Sequence, residues 1–203
     1  MAIALSVIPV YAQFVPVVAK IKNTSVVTVA GKVIRTEKKD GVYYRNSDGS
    51  YYRQWTKVDD GDRPDTTSVA ELFDNKAAVA YKLDLINHIA YEREKAPNPI
   101  LPDALYHNNN VNTLPQDTVA GVRCSVMKTR LHLPDKPVAQ IGETCMSIDY
   151  NLMLKQESNY PTPDGKVYHV IFEMYDVHLG TEPDPKLFDL KKFRVYAPQP
   201  AKN

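Results

Sequence analysis

The chain has 203 residues, of which 43% are hydrophobic and 24% charged, and its formal net charge is +1. That length suffices for one sizeable core, and the near-zero charge excludes a general nucleic-acid surface or a protein held to anionic lipid by its overall charge. Thirteen Tyr, and 15 Pro against 8 Gly, favour strands joined by structured loops over flexible linkers.

Residues 1–10 form an uncharged, mostly apolar run, and Val10-Tyr11-Ala12 follows as a cleavage pattern before Gln13, with the first positive charge at Lys20. This reads as the remnant of a signal peptide over residues 1–12, ahead of a single antiparallel β domain over 13–203. The competing reading is a buried N-terminal strand. The run is far short of the ~20 apolar residues of a spanning helix, and no Cys follows it to carry a lipid. The expected location is periplasmic or secreted, with a mature form that does not span the membrane.

Next comes a strand block over residues 25–37, where Val27, Val29, Gly31, Val33 and Arg35 share one parity. Lys38-Lys39-Asp40-Gly41 is predicted as a turn on its Asp-Gly signal. Residues 42–45 and 51–57 then pair around Asn46-Ser47-Asp48-Gly49. The acidic stretch over 59–65 lacks the spacing and final Glu of an EF-hand and reads as a solvated loop.

Residues 68–93 admit two readings. Ser68 stands three residues before Glu71, as in a capping box, and Val69, Leu72, Phe73, Ala80, Leu83 and Ala90 roughly follow a helical stripe. Against that, Val79, Tyr81 and Leu83 alternate with Ala80, Lys82 and Asp84, and Asp74-Asn75 and Asn87-His88 fall where turns would separate short strands.

From 95 to 117 Pro97, Pro99, Pro102 and Pro115 surround His107-Asn108-Asn109-Asn110. This is a crossing loop, either at a ligand mouth or a plain surface linker. Three strand candidates follow, over 120–133, 143–156 and 166–179. Cys124 and Cys145 lie in the first two, about equally far from the turn around Leu133-Pro134-Asp135, so a hairpin would bring them face to face. An oxidising compartment makes that a structural disulfide, against the alternative of two buried thiols.

The third candidate carries His169, Glu173, Asp176 and His178. Strand parity puts His169 and Glu173 on one face and Asp176 and His178 on the other, without metal-binding or catalytic spacing. No nucleophile elbow, phosphate loop or dinucleotide fingerprint occurs. No cofactor, metal ligand or catalytic residue is assigned, and the protein is not expected to be an enzyme.

Three patches resemble one family. Glu71-Leu72-Phe73-Asp74, then Val79, Tyr81 and Leu83-Asp84, then His88 and Ala90-Tyr91, are similar to the E-I-F-D-P, V-x-Y-x-L-D and T-H-x-A-Y elements of uncharacterised exported bacterial proteins. Glu182-Pro183-Asp184-Pro185-Lys186-Leu187-Phe188 resembles their closing E-P-D-P-x-L-F. Val42-Tyr43-Tyr44-Arg45-Asn46-Ser47-Asp48-Gly49 resembles their V-Y-R-D-S-x-G hairpin. Asn75 and Leu85 stand where the family often has Pro.

The resemblance implies strands over 68–93 and a shape like the half-open barrels of outer-membrane lipoprotein carriers. It brings no activity with it. The expected fold is mainly β: one curved antiparallel sheet or half-open barrel of meander hairpins, with little helix. Two functions follow from it. One is an exported carrier-like binding module for a hydrophobic small molecule; the other is a structural or protein-interaction module of the cell envelope, without a cavity and with an envelope protein as partner.

Overall fold

The computed structural model describes residues 14–59, 69–95, 114–131 and 140–197. Its strands are β1 (Val17–Val29), β2 (Lys32–Arg45), β3 (Tyr51–Asp59), β4 (Val69–Asp74), β5 (Val79–Asp84), β6 (Ile89–Lys95), β7 (Gln116–Val119), β8 (Val122–Leu131), β9 (Gln140–Ser147), β10 (Leu152–Pro161), β11 (Lys166–Leu179) and β12 (Arg194–Tyr196). They form one open sheet in the order β12-β6-β5-β4-β3-β2-β1-β11-β10-β9-β8-β7. Two meanders, β1 to β6 and β7 to β11, therefore meet where β1 pairs antiparallel with β11. Among the described pairs only β12 on β6 is parallel.

The tract over 69–93 is three strands, as the alternation and the resemblance imply. Its turns repeat: Phe73-Asp74, four residues, then Val79-Ala80-Tyr81 recurs as Leu83-Asp84, four residues, then Ile89-Ala90-Tyr91. In both copies the Asp carboxylate ends the strand by accepting turn amides, from Ala77 at Asp74 and from Ile86 and Asn87 at Asp84. In both the last turn residue, Ala78 or His88, has positive φ. Asn75 also uses the backbone N–H that a proline would lack, donating it to Ser50 Oγ at 3.0 Å. Ser68, the other half of the capping-box pattern, lies outside the described residues.

Elsewhere the strand limits correct the sequence reading. The block over 25–37 is not one strand but the tips of β1 and β2, joined by a two-residue turn at Ala30-Gly31 with φ of 47° and 77°. Lys38 to Gly41 is not a turn but the middle of β2. Gly41 is there for close approach, since a Cβ would lie 2.3 Å from the Gln54 carbonyl oxygen. Ala120 does not begin a strand: Ala120-Gly121 is a second two-residue turn, at φ 50° and 79°. Thr-Val-Ala-Gly occurs at both turns, at 28–31 and 118–121.

Gln116 and Asp117, assigned to the crossing loop, belong to β7, while residues 96–113 lie outside the described residues. The candidate over 143–156 is two strands, β9 and β10, split by a turn over 148–151. Lys166–Leu179 is one strand. Residues 1–13, with the leader reading, and residues 60–68, which hold most of the acidic loop, also lie outside the described residues.

The apolar residues form two clusters, and the registers place them on opposite faces. On β1, Val17, Ala19 and Ile21 lie across from Arg45, Tyr43 and Gly41, which lie across from Tyr51, Arg53 and Trp55. This front face carries the first cluster, with Val119, Val122, Cys124, Cys145, Leu152, Leu154, Phe172 and Met174 from the second meander. The alternate row, Tyr44, Tyr52, Leu72 and Tyr81, points to the back face. It belongs to the second cluster, with Ala70, Leu83, Ala90 and Phe193.

The second cluster is covered by the segment after Gly180. Glu182 accepts the Ser47 amide at 3.2 Å, and Asp184 caps the 3-10 helix Pro185–Phe188. Leu187, Phe188 and Leu190 then pack on the cluster, and the Arg194 amide donates to the His88 carbonyl at 2.8 Å. The element resembling the family's closing motif is thus the strap over the back face.

Candidate functional site

The front face is built from the long strands β1, β2, β10 and β11, whose alternating apolar residues need one buried side. Its floor is fully buried at Val17, Ile21 and Leu154. Around the floor stands a half-buried rim that includes Tyr43, Trp55, Val126, Tyr150, Met153 and Leu179. Cys124 and Cys145 are joined by a disulfide within this floor, 5.4 Å apart at Cα. The register sets Cys145 opposite Val126, so the pair is diagonal rather than directly facing.

Arg45 closes one end of the face. The residue is 3% exposed, and its guanidinium donates to the carbonyls of Val15, Tyr150 and Asn151 at 3.0, 2.7 and 2.8 Å. It also lies over the Phe14 ring. Burial lowers its pKa. This one side chain holds the segment entering β1 and the turn between β9 and β10, supplying the donors that buried carbonyls require.

From the rim an aromatic ladder crosses towards β4: Tyr43 stacks on Tyr51 at 5.8 Å and Tyr51 on Phe73 at 5.4 Å. Burial pushes the Tyr43 hydroxyl up to about 12 and raises that of Tyr51. Beyond Phe73 lies Ala80, directly opposite it on β5. The small side chain leaves a cleft of about 250 Å³ lined by Tyr51, Glu71, Leu72, Ala80, Tyr81, Lys82 and Arg93. Two other clefts, of about 270 Å³ beside Lys128, Glu143 and Glu157 and about 160 Å³ beside Arg35, Glu37 and Tyr168, are lined mainly by polar side chains.

The four titratable residues of β11 are placed differently from the parity reading. Asp176 has φ of 52°, and the β1–β11 register shifts between Val18 and Lys20. The bulge reverses the parity, so that His178, opposite Val18, joins His169 and Glu173 on the back face. They do not converge there. His169 meets Glu157 at 2.9 Å, Glu173 meets Lys22 at 3.3 Å, and Asp176 meets Lys20 at 2.8 Å and His178 at 3.0 Å. The Lys20 ammonium, with His178, lowers the Asp176 pKa. Among the described residues no three His, Cys, Asp or Glu side chains gather as a metal site.

Arg45 and the Ala80 cleft went unread in the sequence. The cleft had no local signal, since the ten-residue repeat that sets Ala80 ahead of Tyr81 also sets Ala90 ahead of Tyr91, and Ala90 is buried in the second cluster. Arg45 had none, because its partners at Tyr150 and Asn151 are more than 100 residues away.

No protein-family model matches the chain, and no curated protein matches it. Among solved structures, a DUF1329 family protein from Desulfovibrio piger is 8% identical over 86% of this chain and 89% of that one, with a TM-score of 0.31. A LolA superfamily protein from Nitrosomonas europaea is 10% identical over 85% of this chain and 90% of that one, with a TM-score of 0.33. At these values neither likeness decides a family or a function.

Proposed function

We propose that this protein is an exported, non-enzymatic binding module that holds a hydrophobic ligand against the front face of its open sheet. The observation that carries this reading is the buried apolar floor of the first cluster with its half-buried rim of Tyr43, Trp55, Tyr150 and Met153. Apolar walls with few polar groups are what a hydrophobic ligand requires. The buried disulfide suits a periplasmic or secreted location, where such bonds persist. Ion pairs within the sheet account for His169, Glu173, Asp176 and His178 of β11, which supports the non-enzymatic reading.

Trp55, the single tryptophan, stands on the rim and serves as a reporter. Protein purified from its own host is expected to release an apolar molecule in native mass spectrometry. Once emptied, it should quench Trp55 on titration with a neutral polyene probe. A protein that arrives empty and leaves Trp55 unchanged contradicts the reading.

That negative result is the one expected of the second reading, a structural or protein-interaction module of the envelope. It is favoured by the size of the three clefts described above, about 270, 250 and 160 Å³, each below the ~300–1,000 Å³ of ordinary ligand pockets.

A further inference from the structure

The Ala80 cleft continues the front face and differs from it in charge. Two cross-strand rows border it. One runs from Tyr51 through Phe73 to Ala80, and the other from Arg53 through Glu71 and Lys82 to Tyr91. Arg53 is ion-paired with Glu71, which neutralises the acidic group in the cleft lining. Lys82 and Arg93 also line the cleft, and neither has an ion-pair or hydrogen-bond partner among the described residues. Tyr51 lines the cleft and stacks on Tyr43, which packs on the first cluster, and on the buried Phe73.

Resting on the ligand reading above, we infer that the ligand is an amphiphile with an anionic head group, carboxylate or phosphate. Its head binds between Lys82 and Arg93, and its apolar chain starts against Tyr51, whose ring stacks on Tyr43 at the rim of the first cluster. Three features support this. Two cations at one end of an apolar track offer charge-assisted hydrogen bonds to an anion, with the guanidinium suited to bidentate contact. The cleft is too small for a whole ligand and large enough for a head group and the start of its chain. Ala80 is the residue whose size keeps it open.

The test uses cis-parinaric acid and its methyl ester, read by energy transfer from Trp55. The acid is expected to bind about tenfold more tightly than the ester, the scale of one charge-assisted contact. In the double variant Lys82→Gln, Arg93→Gln that preference disappears while ester binding stays unchanged. Both substitutions are at exposed positions, so the fold is kept, and an unchanged thermal transition verifies it. Ala80→Phe, with the same check, weakens the acid selectively by filling the cleft.

Equal binding of acid and ester by the unaltered protein, or a preference that survives in the double variant, overturns the inference and leaves the hydrophobic-ligand reading standing. Failure to bind either probe overturns both. Displacement of the acid by millimolar inorganic phosphate, with the ester retained, overturns the amphiphile assignment in favour of a small-anion site. A phosphate-headed single-chain lipid competing as well as the acid identifies the head group as either anion.

Discussion

Tyr43 and Tyr52 show what burial does to a single side chain in this sheet. Both hydroxyls are pushed up to about 12, in each case chiefly by desolvation of the charged form. In the unfolded chain they ionise near their ordinary value of ~10. Between these limits the folded protein holds protons that the unfolded chain has released, so stability falls as pH rises through that interval. Denaturant midpoints are expected to be level up to about pH 10 and to drop steadily towards about pH 12. The variant Tyr43→Phe, Tyr52→Phe should reduce the slope. An identical slope in that variant would assign the loss to other groups. Tyrosine-rich strands were legible in the sequence, but which tyrosines are buried was not, because adjacent Tyr43 and Tyr44 point to opposite faces.

At the scale of elements, the hairpins that were read correctly have turns carrying their own chemistry. In the turn over Asn46 to Gly49 and the two Asp-led turns after β4 and β5, the amides of Gly49, Ala77, Ala78, Ile86 and Asn87 are taken up within the turn, and local sequence is enough to see that. The misread ones depend on less usual features. Ala30-Gly31 and Ala120-Gly121 turn on positive φ without an Asp or Asn side chain in the turn to announce it. The turn between β9 and β10 is secured by Arg45 from β2, three strands away from β10 in the sheet.

The β8–β9 hairpin, in contrast, was visible through its cysteines. Its disulfide spans a sequence separation of 21 residues, and closing a loop of that size stabilises by about 3 kcal/mol in the chain-entropy model. The double variant Cys124→Ala, Cys145→Ala should lose about that much in urea unfolding at unchanged fold. Two reactive thiols in denatured, unreduced protein would show that the bond does not form.

The whole molecule is a sheet with a core on each side, and the strap is the part of it that covers the back. Phe193, 8% exposed, is the strap's buried anchor on the second cluster. Phe193→Ala should destabilise by ~3 kcal/mol, the lower end for a buried Phe lost from a core. It should also raise binding of a hydrophobic dye, as Leu72, Leu83 and Ala90 become accessible. Loss of stability without dye binding would mean that the strap stays seated through Leu187 and Leu190. Binding of the polyene probe proposed for the front face should be unchanged in this variant, because the two clusters lie on opposite sides of the sheet.

By itself the sequence determined that the protein is mainly β and that Cys124 and Cys145 belong together, while for residues 69–93 its patterns allowed helix or strands and the family resemblance favoured strands. The first two rest on alternation, turn residues or counting, which are properties of neighbours along the chain. Tertiary structure decided the rest. Bulges reversed the parity of β11, strand order joined two meanders at β1 and β11, and register divided the apolar residues between two faces. A shift of one residue sends a side chain to the other side of a sheet, and the pairing that sets it lies far away in the chain. For that reason the alternation was legible while the division of the apolar residues between two faces was not.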